Sequence, residues 1–80
     1  MEQFNIFVPP EIPIDETVLV IAVHFESGVK IEKSVPIFEI ETSKTAYVLI
    51  TEVSGILDHK ITIGDEVKSG QILGVVRNDR

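Results

Sequence analysis

Eighty residues make one small domain, able to bury roughly 60% of the surface its unfolded chain exposes. Having no cysteine, it has no disulfide, thiolate metal ligand or cysteine nucleophile. Thirteen acidic against seven basic residues give a net charge of −6 with the lysines scattered singly, which argues against nucleic-acid and anionic-membrane partners, since both need a basic patch.

Val, Ile and Thr together supply 28 of the 80 residues, and β-branched side chains favour strands. No stretch sustains apolar residues at i, i+3, i+4 and i+7 between good caps, so the prediction is an all-β domain without a long helix. Phe4, Ile6 and Val8 alternate with neighbours that are mostly polar and predict a first strand, which Pro9, Pro10 and Pro13 stop. Thr17 to Phe25 predicts a buried strand; its unbroken apolar part, Val18 to Val23, is too short to span a bilayer, and nothing resembles a signal peptide. Glu26-Ser27-Gly28 turns the chain.

Pro36 to Ile40 and Ala46 to Ile50 are two β-rich runs flanking Glu41-Thr42-Ser43-Lys44-Thr45. Thr42 and Ser43 carry short hydroxyl side chains that bond nearby backbone, which suits a turn. If the runs pair as a hairpin, Lys44 stands in water at its apex. From Ala46 to Val53 both faces are fairly apolar, as in a small sandwich or barrel. After Ser54-Gly55, Ile56 to Ile63 predicts a strand with Ile61 and Ile63 on one face. Turns at Gly64-Asp65 and Ser69-Gly70 follow, and Ile72 to Val76 closes the domain, 1–76. Arg77-Asn78-Asp79-Arg80 is expected to be a polar tail, disordered or the start of a linker.

A repeat underlies this order. Gly28, Ile31, Ser34, Ile37 and Ile40 are spaced by three, and Gly64, Val67, Gly70, Leu73 and Val76 repeat the spacing 36 residues later. Matched halves of this kind predict a pseudo-twofold; two units are too few for a solenoid.

Little else in the chain suggests chemistry. His24 and His59 lack a second ligand at metal spacing, no glycine-rich loop opens a helix, and Asp65-Glu66 is an acidic turn rather than a calcium loop. A domain this small has little room for an enclosed catalytic pocket, so an independent enzyme is not expected.

The Glu41 to Thr45 stretch resembles the Glu-Thr-Asp-Lys-Ala hairpin of lipoyl domains, and Val8-Pro9-Pro10-Glu11-Ile12 resembles their opening. The second half, Gly64-Asp65-Glu66-Val67-Lys68-Ser69-Gly70-Gln71-Ile72-Leu73, is close to the family pattern; in the first half Val29 stands for Asp and Ser34 for Gly. The register also matches, with Gly28 sixteen residues before Lys44, Glu41 three before and Gly55 eleven after. The departures are Ser43 for aspartate, Thr45 for alanine, and a Gly55–Gly64 gap one residue short, which predicts a bulge or a tighter turn. Biotin carriers share the fold but resemble Ala-Met-Lys-Met at the turn; here the neighbours are Ser43 and Thr45, which disfavours biotin.

The resemblance implies a flattened β-barrel or sandwich of two interlocked four-stranded sheets. It implies lipoic acid held covalently on Lys44 as a swinging arm that shuttles acyl groups. Glu41, Thr42, Ser43, Thr45, Gly28 and Gly55 would be recognition positions for a lipoate ligase or octanoyl transferase. The further partners implied are catalytic subunits of a 2-oxo acid dehydrogenase-like complex, a glycine-cleavage carrier being the weaker parallel. The domain would be monomeric, in the cytoplasm or, in a eukaryote, the mitochondrial matrix. The alternative is the same fold unmodified, serving as a docking module of a larger protein.

Overall fold

The computed structural model describes residues 2–78. They form eight strands: β1 (Glu2–Phe7), β2 (Val18–Val23), β3 (Lys30–Ile31), β4 (Pro36–Glu41), β5 (Ala46–Ile50), β6 (Gly55–His59), β7 (Glu66–Val67) and β8 (Ile72–Asn78). Two antiparallel four-stranded sheets result, in the orders β1-β8-β6-β3 and β5-β4-β2-β7. Among the described residues no ladder joins one sheet to the other, so the fold is a sandwich, not a closed barrel. None of the elements is a helix long and apolar enough to cross a membrane.

Alternation of side chains along each strand decides what fills the sandwich. Val18 and Val20 of β2 are buried while Leu19 and Ile21 are each 38% exposed, so β2 is covered on one face only. That corrects the fully buried strand expected there: an unbroken apolar run does not reveal that half of it faces water. In β5, Leu49 points inward and Thr51 follows it into the core, while Val48 and Ile50 point out. Thr51 is buried without cost because its hydroxyl donates to the Val53 carbonyl at 2.6 Å.

The 36-residue repeat is a structural twofold. Gly28 and Gly64 turn with φ of 94° and 96°, Ile31 and Val67 are both 2% exposed, and Ile40 and Val76 are both fully buried. Hydrogen bonds repeat as well. Gly28 donates to the Leu57 carbonyl as Gly64 donates to that of Val20, and Ser34 donates to Thr51 as Gly70 donates to Val8. Each half lends a short strand to the other's sheet, β3 beside β6 and β7 beside β2. The halves therefore cannot separate without breaking both sheets.

The one-residue shortfall between Gly55 and Gly64 has its origin in this comparison. β2 pairs with β4 through a bulge between Val20 and Ala22 that leaves Ile21 without a partner. Its counterpart β6 pairs with β8 residue for residue. The second half is shorter because it lacks a bulge that the first half carries. The worn glycine of the first half also keeps its geometry, for Ser34 sits at φ 72° where Gly70 sits at 80°. A serine held there is strained, so Ser34→Gly is expected to raise stability by up to about 1 kcal/mol in urea unfolding, the relief of strain exceeding the added chain entropy.

Two boundaries differ from expectation. β6 stops at His59 rather than running to Ile63. The His59 ring takes the Ile61 N–H at 3.0 Å and reaches the Phe25 carbonyl at 2.8 Å, and Thr62 donates to the Asp65 carboxylate at 2.9 Å. These bonds satisfy the backbone outside a ladder, leaving Ile61 half-buried and Ile63 62% exposed rather than sharing an inward face. At the other boundary β8 continues to Asn78, with Arg77 and Asn78 paired to Gln3 and Glu2. The expected polar tail thus contributes two residues to the sheet; Asp79 and Arg80 lie outside the described residues.

Arg77 also reaches across to β6, its Nη1 3.0 Å from Asp58 Oδ2, while Ser27 donates to Oδ1 at 3.3 Å. The bonds from Arg77 and Ser27 hold the Asp58 carboxyl below its ordinary value. A depressed carboxylate contributes stability above its unfolded pKa of about 3.9 and loses it as pH falls through the lower folded value. Both groups are exposed, so the contribution is small. Arg77→Ala is expected to move the Asp58 titration upward, read by carboxyl chemical shift.

Candidate functional site

The β4–β5 hairpin brings Glu41, Thr42, Ser43, Lys44 and Thr45 together at one end of the molecule. Its stem is fixed by the core: Ile40 is fully buried and pairs with the half-buried Tyr47, and Glu41 with Ala46 forms the last rung. Beyond that rung the loop is shaped mostly by one side chain. Thr42 donates its N–H to the Thr45 carbonyl at 2.8 Å. Its Oγ1 accepts from the amides of Lys44 and Thr45 at 3.1 and 3.2 Å. A hydroxyl satisfying two tip amides holds a turn that backbone bonds alone would leave loose.

Ser43 does something else. Its Oγ donates outward to Glu16 Oε1 at 2.9 Å, tying the tip to the β1–β2 connection. Glu16 is the residue sequence reasoning missed; it lies 27 positions from Ser43, and no local pattern signals the pairing. Asp15, Glu16, Thr17, Leu19, Glu41, Thr42 and Ser43 line an open groove of about 360 Å³ beside the tip, with three carboxylates among them. Lys44 itself is exposed and, among the described residues, forms no ion pair. What the arrangement offers is a primary amine on a short, internally braced tip.

Gly28 and Gly55 are not part of this constellation. Gly28 donates to Leu57 of β6, and Gly55 opens β6 opposite Ile31 of β3, both in the other sheet. The twofold carries the Lys44 hairpin onto the paired strand ends Glu2 and Asn78, so these two features occupy opposite ends of the molecule. Gly55 belongs to the strand-end side, against Arg77 and Asn78.

The histidines are accounted for by their neighbours. His24 Nε2 lies 2.7 Å from Glu39 Oε2 on the surface. His59 packs edge-on to the Phe38 ring, centroids 5.1 Å apart, with both ring nitrogens bonded to backbone. Because Nδ1 accepts the Ile61 N–H, the neutral ring carries its proton on Nε2 and donates it to Phe25. Among the described residues no three His, Cys, Asp or Glu side chains gather to hold a metal. Against this geometry, no family model, curated protein or solved structure matches the chain.

Proposed function

We propose that the domain is a lipoyl carrier, with Lys44 the attachment point. The single observation that carries the reading is the hairpin: an exposed amine, unpaired among the described residues, on a tip whose amides are bonded internally by Thr42. The twofold sandwich and the register of Glu41, Lys44 and Gly55 in the sequence support it. The donor set fits a covalently held acyl group, since amide formation needs a solvent-facing primary amine and nothing more from the carrier.

In attachment the Lys44 amine gives up a proton, forms a C–N bond to an activated carboxyl, and the bond to the activating thiol or adenylate breaks as that group leaves. Once bound, a dithiolane supplies the acyl-carrying chemistry. The chain's part is presentation: a rigid stem, an accessible tip, and a high effective concentration of the arm near enzyme sites in a multienzyme complex. Glu41, at the last rung, is the side chain best placed for a modifying enzyme to read, and a reducing compartment such as the cytoplasm or mitochondrial matrix suits a chain without cysteine.

Intact-protein mass of material from its native host tests this. The expected result is one acyl-sized increment, mapped by peptide digestion to Lys44. An unmodified Lys44 in a cell with a competent ligase would leave the docking-module reading in its place.

A further inference from the structure

We infer that Glu16 is a positioning residue for Lys44, acting through Ser43; the inference rests on the carrier reading for its consequence, though not for its geometry. Thr42 fixes the internal shape of the tip, but those bonds are all within the hairpin and do not fix how the tip stands on the domain. Among the described residues, the Ser43–Glu16 bond is the one side-chain hydrogen bond from the tip to another element.

Its far end is well anchored. The β1–β2 connection is pinned by Ile12, 3% exposed in the core, and by turn bonds from Ile12 to Pro9 at 3.2 Å and from Glu16 to Pro13 at 2.9 Å. Ser69 donates to the Pro9 and Pro10 carbonyls, and Val8 exchanges backbone bonds with Gln71 and Gly70. Prolines limit the freedom of this connection further. Glu16 therefore leaves a stiff base to hold Ser43, and Ser43 precedes the reacting lysine by one residue. The departure from aspartate at position 43 acquires a role: a serine can donate to Glu16, whereas an aspartate there would face a second carboxylate.

The test uses the whole chain and two readouts, with Glu16→Ala, Glu16→Gln, Ser43→Ala and the double alanine variant. The first is the ¹H–¹⁵N heteronuclear NOE of the Ser43, Lys44 and Thr45 amides, which needs no modifying enzyme. It is expected to fall in Glu16→Ala and Ser43→Ala alike, and to stay near wild type in Glu16→Gln, whose amide oxygen still accepts from the serine. The second is kcat/KM for transfer from octanoylated acyl carrier protein by an octanoyl transferase. It is expected to fall about fivefold in each alanine variant, the weight of one ordinary hydrogen bond, and no further in the double variant, with Tm unchanged. A tip as ordered in Glu16→Ala as in wild type, or additive losses in the double variant, would overturn the inference. If wild type itself accepts no acyl group, the carrier reading fails while the NOE still decides whether Glu16 holds the tip.

Discussion

Exchanging two neighbours, Ser43→Lys together with Lys44→Ser, is expected to reduce acyl attachment at least a hundredfold without changing composition or net charge. The wild-type domain should be modified once, at Lys44, despite lysines at 30, 33, 60 and 68. Lys30 lies in the short strand β3 and the other three lie in connections between strands, whereas Lys44 alone caps a two-stranded stem. Moving the amine by one position turns it into another direction, because neighbouring side chains near a strand end diverge. Misplacement of about 1 Å already costs on the order of a hundredfold when reacting atoms must be aligned. Loss of the Ser43–Glu16 bond accounts for only about fivefold of that, so the two effects separate by magnitude. Each attachment also removes one positive charge from a chain of net charge −6, giving an anodic shift on a native gel. Acyl groups spread over several lysines would end the presentation argument.

How much of this was legible beforehand depends on the range of the interactions. The six longer strands and the Lys44 turn were readable because β-branching, proline stops and glycine turns are local signals, whereas the two-residue strands β3 and β7 are too short to show an alternation and were not. The twofold was readable because Gly28 and Gly64 begin equal spacings, and the structure matches those positions in φ and burial. Which face of β2 is wet was not readable, since Leu19 and Val20 are equally apolar and only the other sheet distinguishes them. Nor was the end of β6, which is set by His59 bonding Phe25, 34 residues away. Arg77 read as tail because its polarity is visible in sequence while its partner Asp58 is not. The same holds at the candidate site: the tip residues are contiguous, so their turn was legible, whereas Glu16 reaches them only through the fold.

Gly55→Ala is expected to be the most damaging single substitution considered, and to damage stability rather than recognition. A Cβ at position 55 would lie 2.2 Å from the Arg77 carbonyl oxygen and 2.7 Å from its carbon, with φ at 154°. Both atoms are backbone, so relief requires prising β6 from the end of β8, where the Arg77 rung and the β1 pairing also meet. Overpacking of this kind costs about 1–3 kcal/mol, and an unfavourable positive φ adds about 1 kcal/mol or more. An 80-residue domain has a total stability of only about 4–12 kcal/mol. A loss of about 3 kcal/mol therefore lowers Tm by roughly 12–24 °C. Gly28→Ala is the control: its φ is 94°, yet a Cβ there would meet nothing within 4 Å, so the cost is conformational alone, about 1 kcal/mol. Gly55 and the Lys44 tip occupy opposite ends of the fold, so the folded fraction of Gly55→Ala should accept an acyl group at the wild-type rate below its Tm. Thermal unfolding and attachment kinetics on the same sample decide between the two roles. A variant that melts like wild type but is no longer modified would make Gly55 a recognition residue and would place the modifying enzyme's footprint on both ends of the sandwich.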